Sequence, residues 1–148
     1  MAYKIIEIPG GTTTLDDAPQ VQIIGSSGTG VTVVIKYNSS YIEEGKPSRF
    51  GEITFSGIFE YRWVKSDFEY EAHPEHEGDY EFGLIEIMDS AYIEDMASKG
   101  SRRDYPGERF GFGRDFPESR VRHFRLAFDD YGRFDVIAVE VTIKEIDE

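Results

Sequence analysis

Apolar residues in this chain fall in short runs, and each run is closed by glycine, proline, asparagine, aspartate or serine. Runs of four to eight apolar or β-branched residues between turn formers are the pattern of antiparallel strands, and they are too short for a helical bundle. Tyr3 to Ile8 is the first such run and stops at Pro9-Gly10-Gly11. Val21 to Ile24 resumes an extended path, and Gly25-Ser26-Ser27-Gly28-Thr29-Gly30 follows as a turn. Val31 to Tyr37 is apolar or β-branched at nearly every position, which suits a strand buried on both faces or one with a polar edge at Thr32 and Lys36. Phe50 to Val64 alternates through Ile53, Phe55, Phe59, Tyr61 and Trp63, but Ile58 is out of phase. A bend or bulge is therefore expected near Ser56-Gly57.

Phe82 to Met88 reads as another strand, and it leads into the one clear helix signal. Asp89-Ser90 supplies a cap, Ala91 to Lys99 the body and Gly100 the stop. The C-terminal unit is a hairpin, with Val121 to Phe128 and Arg133 to Ile146 flanking Asp129-Asp130-Tyr131-Gly132. On its first arm Phe124, Leu126 and Phe128 share one face while His123 and Arg125 share the other. On its second arm Ile137, Val139, Val141 and Ile143 are expected to form the inward row. The fold class that follows is mainly β: an antiparallel sandwich or partly open barrel with one short α-helix.

A chain of 148 residues with 39% hydrophobic and 14% aromatic content is the size of one domain and can build a core without covalent staples. It has no cysteine, which removes disulfides, thiolate metal sites and cysteine nucleophiles and fits a cytoplasmic setting. No run approaches the roughly 18 apolar residues of a membrane helix, and the N-terminal residues lack the apolar centre of a signal peptide.

Charge is unevenly placed. The chain carries 29 acidic and 16 basic residues, for a net charge of −13. Eight of the ten arginines nevertheless lie between Arg102 and Arg133, where only six acids accompany them. Such an excess of negative charge opposes binding to duplex nucleic acid, which needs a positive footprint, and leaves a basic protein as the partner of matching sign.

The chemical motifs are incomplete. Gly25 to Gly30 lacks the Gly-Lys-Ser/Thr ending and the following helix of a phosphate loop, so a hairpin turn is expected there. There is no Gly-x-Ser-x-Gly elbow and no His-Glu-x-x-His pair. Within Asp67 to Glu81, His73-Pro74-Glu75-His76 offers imidazole and carboxylate donors suited to zinc, nickel or manganese. That run reads instead as a solvated connector, so no metal and no other cofactor is expected. Arg102 to Arg125, broken by glycines and prolines and interleaved with aromatics, is the longest irregular segment, and loops of this length often bind. Arg103, Tyr105, Arg109 and Arg114 are the candidate ligand-binding residues on it, the alternative being that these arginines pair with the chain's own acids.

The phrases Ile53-Thr54-Phe55-Ser56-Gly57-Ile58-Phe59-Glu60-Tyr61-Arg62, Ile85-Glu86-Ile87-Met88-Asp89-Ser90-Ala91-Tyr92-Ile93, Arg122-His123-Phe124-Arg125-Leu126 and Phe134-Asp135-Val136-Ile137-Ala138 resemble the layout of small uncharacterised β-rich bacterial proteins, some of toxin-immunity type. The resemblance implies a non-enzymatic binder and assigns no functional residue. The expected function is thus a non-catalytic acidic protein-interaction module, with an immunity-type inhibitor of a basic toxin or nuclease as its specific form. The alternative is a small-molecule or sugar binder, or an enzyme on such a ligand, with its pocket beneath the 101–120 segment. If the 67–81 run is a connector, the double variant His73→Ala, His76→Ala keeps wild-type stability within about 0.5 kcal/mol. Elemental analysis of the purified protein then finds no stoichiometric transition metal.

Overall fold

The computed structural model describes residues 2–10, 19–26, 30–39, 49–65, 83–95, 121–128 and 131–147. Seven strands are present among them: β1 (Tyr3–Ile5), β2 (Gln20–Ser26), β3 (Gly30–Ser39), β4 (Arg49–Val64), β5 (Leu84–Ile87), β6 (Arg122–Phe128) and β7 (Gly132–Ile146). All belong to one sheet of order β1-β5-β6-β7-β4-β3-β2, and every neighbouring pair is antiparallel. The mainly antiparallel β class read from the sequence is therefore present, as a single open sheet rather than two stacked ones. A helix over residues 91–95 follows β5; the remainder of the segment expected to be helical lies outside the described residues.

The long strands β4 and β7 form the spine. Their register runs from Phe50 opposite Ile146 to Val64 opposite Arg133, with a shift between Ile58 and Glu60. Gly57, beside this shift, has φ +66°, a conformation that side chains with a Cβ rarely adopt. The bulge anticipated near Ser56-Gly57 is thus where the alternation slips. Its consequence for β7 corrects the expected inward row. Phe134, Val136 and Ala138 belong to the core, followed beyond the bulge by Val141 and Ile143. Val139, opposite the bulge, is exposed, and Ile137 is buried on the other side of the sheet, in register with His123.

One face carries the main hydrophobic core. Val33, Ile35 and Tyr37 of β3, Ile53 and Phe55 of β4, Leu84 of β5, Phe124, Leu126 and Phe128 of β6, and the β7 row pack together there. Phe55 and Phe124 meet across the β7 strand that separates their own, at a ring distance of 5.5 Å, so the two halves of the sheet share this core. On the opposite face the halves differ. At the β2-β3-β4 end, registered rows such as Lys36, Glu52 and Lys144 are polar, with Lys144 3.0 Å from Glu52. This is the clean alternation of a half-solvated antiparallel sheet. Thr32 and Lys36 are accordingly the polar side of β3. At the β5-β6-β7 end both faces are buried, since Ile85, Ile87, His123, Arg125, Ala127, Arg133, Asp135 and Ile137 are all buried. Two thicknesses of packing meet in one sheet.

Gly51 shows how tightly the core face is filled. A Cβ at this position would land on the Tyr37 ring, whose hydroxyl donates to the Pro9 carbonyl at 2.6 Å. Burial pushes the Tyr37 phenol well above its ordinary pKa, so it remains a donor throughout the physiological range. The Gly51→Ala variant is expected to lose about 1–3 kcal/mol through overpacking, read as a lower urea midpoint with an unchanged slope.

Candidate functional site

The second face of the β6-β7 hairpin holds the densest polar chemistry among the described residues. Hairpin register sets Arg125 opposite Asp135, His123 opposite Ile137 and Ala127 opposite Arg133. Side chains two residues apart on one strand share a face, so His123, Arg125, Arg133 and Asp135 converge on a single patch. Asp135 is its centre. Its Oδ1 accepts from His123 Nε2 at 2.8 Å and from Arg125 Nε at 3.0 Å, and its Oδ2 accepts from Arg133 Nε at 3.2 Å. Asp135 is 4% exposed and His123 fully buried.

Burial alone would raise the Asp135 carboxyl. The hydrogen bond from His123 and the charges of Arg125, His123 and Arg133 outweigh it, and the group is held well below the usual carboxylate range.

The start of the helix closes over this patch. Ser90 Oγ lies 2.7 Å from His123 Nδ1 and accepts the Ile93 backbone N–H at 3.2 Å. Ser90 is therefore the N-cap foreseen in the sequence and also a partner of the buried imidazole. The two ring nitrogens of His123 are thus engaged from opposite sides, Nδ1 by Ser90 and Nε2 by Asp135. Tyr92 sets its ring edge-on to His123 at 5.2 Å. The Arg62 guanidinium, from the β4 position opposite Asp135, lies 5.1 Å above the Tyr92 ring.

Serine, histidine and aspartate in hydrogen-bonded sequence are the components of a hydrolase triad. Here the serine is 6% exposed, its oxygen is engaged as a helix cap, and an aromatic edge covers the imidazole. A nucleophile must reach a substrate carbonyl, whereas this serine is buried and its oxygen already accepts a backbone N–H. What the cluster does is tie residues 90–93 to the hairpin through oriented polar contacts.

Two other surface features stand out among the described residues. A cleft of about 360 Å³ opens between Gln20, Lys36, Tyr37, Asn38, Phe50, Ile146 and Asp147, far along the sheet from the Asp135 cluster. Near the hairpin turn Trp63 and Tyr61 are 45% and 41% exposed, and Trp63 packs on Tyr131 at 5.5 Å.

Three arginines of the 101–133 cluster can be placed, and each meets an acid of the chain. Arg122 holds Glu86 through Nη2 at 2.6 Å and Nε at 3.1 Å, lies over the Phe124 ring and, by that hydrogen bond, draws the Glu86 carboxyl below its ordinary range. Arg125 and Arg133 serve Asp135. The ligand-binding candidates Arg103, Tyr105, Arg109 and Arg114, and also His73 and His76, lie outside the described residues. Among the described residues no three of His, Asp and Glu gather as a metal site, and no helix is long and apolar enough to cross a membrane.

The Asp135 cluster was missed in the sequence although one signal for it existed. Counting back from the Asp129-Gly132 turn pairs Arg125 with Asp135, and that step reveals an ion pair inside the hairpin. No family model, curated protein or solved structure matches this chain.

Removing the Asp135 charge leaves the buried cations without their shared carboxylate, so Asp135→Asn is expected to cost about 3–5 kcal/mol. Ser90→Ala costs about 1–2 kcal/mol through the lost cap. Because the folded Asp135 pKa lies below its unfolded value of ~3.9, its contribution is complete above that pH and is lost as pH falls through the folded value. Urea unfolding between pH 7 and pH 2 therefore shows a steeper acid loss in wild type than in Asp135→Asn.

Proposed function

We propose that the protein is a non-catalytic, acidic protein-interaction module whose partner is a basic protein, with an immunity-type inhibitor of a toxin or nuclease as the specific form. The observation that carries this reading is how the arginines are used. Arg125 and Arg133 are engaged with buried Asp135, Arg122 with Glu86 at the sheet's margin, and Arg49 with Glu145 at the surface at 2.6 Å. Pairing of this kind cancels cations against acids of the same chain and leaves the net charge of −13 for a partner to meet. The run from Asp67 to Glu81 adds seven acids with no lysine or arginine. A field of that sign steers basic partners and repels acidic ones. The sealed state of the Ser90-His123-Asp135 contacts favours binding over hydrolysis, and the resemblance to toxin-immunity proteins points the same way.

A second reading, a binder of small molecules or sugars, draws support from the cleft beside Lys36 and Phe50. Its volume falls within the ~300–1,000 Å³ range of ligand sites, and it mixes aromatic walls with polar groups. A thermal-shift screen against nucleotides, phosphates and sugars separates the two. Stabilisation lost in Lys36→Ala favours the cleft.

For the leading reading, titration against a panel of basic nucleases and toxins yields at least one saturable complex. Its affinity falls about tenfold or more as salt rises from 0.1 M to 1 M and the Debye length shrinks from ~10 Å to ~3 Å. A panel with no salt-sensitive binder counts against the module.

A further inference from the structure

The two ends of the sheet are guarded very differently. At one end β1 is only three residues long and carries Lys4, and short charged edges of this kind discourage pairing with another chain. At the other end β2 runs for seven residues, Gln-Val-Gln-Ile-Ile-Gly-Ser. It contains no charge and no proline, and among the described residues no strand pairs with its outer side. Val21, Ile23 and Ile24 are 37%, 49% and 44% exposed. In a chain with 29 acids an uncharged strip of this length is conspicuous, and it offers nothing to the basic partner considered above.

We propose that β2 is a self-association edge, through which two copies of the chain pair antiparallel about a two-fold axis at Gln22. The register follows from the side chains. Centring on Gln22 sets Val21 of each copy opposite Ile23 of the other, two β-branched cross-strand pairs of the kind that stabilise sheets. Centring on Ile23 would instead set Val21 against Gly25 and Gln22 against Ile24, burying less apolar surface.

Val21 and Ile23 lie in register with Ile35 and Val33, both fully buried in the core. The Gln22-centred pair therefore continues the core-side rows from one copy into the next. A closed two-fold of this type is the commonest symmetry among soluble oligomers.

Charge selects the occupant. Two copies at −13 each repel one another except where both are neutral, and β2 is such a place. A charged peptide would find no counter-charge on the strand itself, and the one charge on adjacent β3 is Lys36, opposite Gln20 on the other face.

Seven residues at ~3.3 Å each make a contact only ~23 Å long. A single strand pairing of that length buries less than the ~1,000 Å² that stable interfaces clear, so the dimer dissociates on dilution. Because the residual repulsion is screened by salt, dimerisation strengthens as salt rises. This is opposite to the behaviour expected of the basic-partner complex, so either idea can fail without the other.

Sedimentation velocity on the full chain, from micromolar to near-millimolar concentration at low and high salt, should show a monomer–dimer equilibrium shifting toward dimer with salt. Ile23→Lys should weaken it about tenfold or more, while Met88→Lys, at an exposed apolar site away from β2, leaves it unchanged. Thermal unfolding of Ile23→Lys checks that the variant is folded. The cysteine-free background gives a second measurement that does not depend on that variant. A Gln22→Cys chain under mild oxidation should cross-link to a covalent dimer, because the proposed axis places the two thiols directly opposite, within disulfide reach; Met88→Cys should not. A wild-type chain that stays monomeric at every concentration and salt overturns the proposal. So does a dimer indifferent to Ile23→Lys whose Gln22→Cys form fails to cross-link.

Discussion

The Asp135 carboxylate is the group around which the β5-β6-β7 end of the molecule is arranged. Taking one carboxylate and several cations out of water carries a desolvation cost of several kcal/mol per ion, recovered only with close geometry and satisfied hydrogen bonds. Both Asp135 oxygens are used, by His123, Arg125 and Arg133, and the imidazole passes the arrangement on to Ser90 and so to the helix start. Such a group tolerates few alternatives. A one-residue slip of the hairpin would turn Asp135 toward the hydrophobic face and leave the buried cations without it. The ion cluster thereby fixes register where hydrophobic alternation cannot, because this end of the sheet is buried on both sides.

The opposite end is held by another principle. Between β3, β4 and the outer half of β7, packing on one face and hydration on the other suffice to set the register, and ion pairs such as Lys144 with Glu52 sit at the surface, where they contribute little. The bulge at Gly57 is the joint between the two regimes. It moves the inward row of β7 from Ala138 to Val141, so that one continuous core serves strands with different solvent exposure. Function follows the same division. The doubly buried end is occupied with its own polar contacts, whereas at the other end β2 is the outermost strand among the described residues and the cleft beside Lys36 opens nearby.

A Ser-His-Asp sequence of hydrogen bonds is not by itself an active site. Ser90, His123 and Asp135 are hydrogen-bonded in sequence, as in a hydrolase, yet the serine oxygen also holds the first turn of a helix. These contacts fasten the helix start to the hairpin, and exposure and approach decide which chemistry a hydrogen-bonded chain can perform. Arg122 on Glu86 and the arginines on Asp135 also show how a basic cluster in an acidic chain can be absorbed internally.

The sequence by itself determined the class, most of the strands and the helix cap. Turn formers at Pro9-Gly10 and before Arg133 interrupt the apolar runs, Ser90 precedes a helix-forming stretch, and Gly57 breaks an alternation; each is a local signal carried by a few neighbouring residues. Local signals also placed Phe124, Leu126 and Phe128 on one face and His123 and Arg125 on the other. What they did not convey is that this other face is buried, since alternation reports that two faces differ and says nothing of what lies above either one. The expected row through Ile137 and Val139 failed for the same reason: the shift is imposed on β7 from across the ladder by Gly57 in β4. Strand order, the meeting of Asp135 with Ser90, and the isolation of β2 at an edge depend on contacts between residues far apart in the chain. Only the tertiary structure decided those.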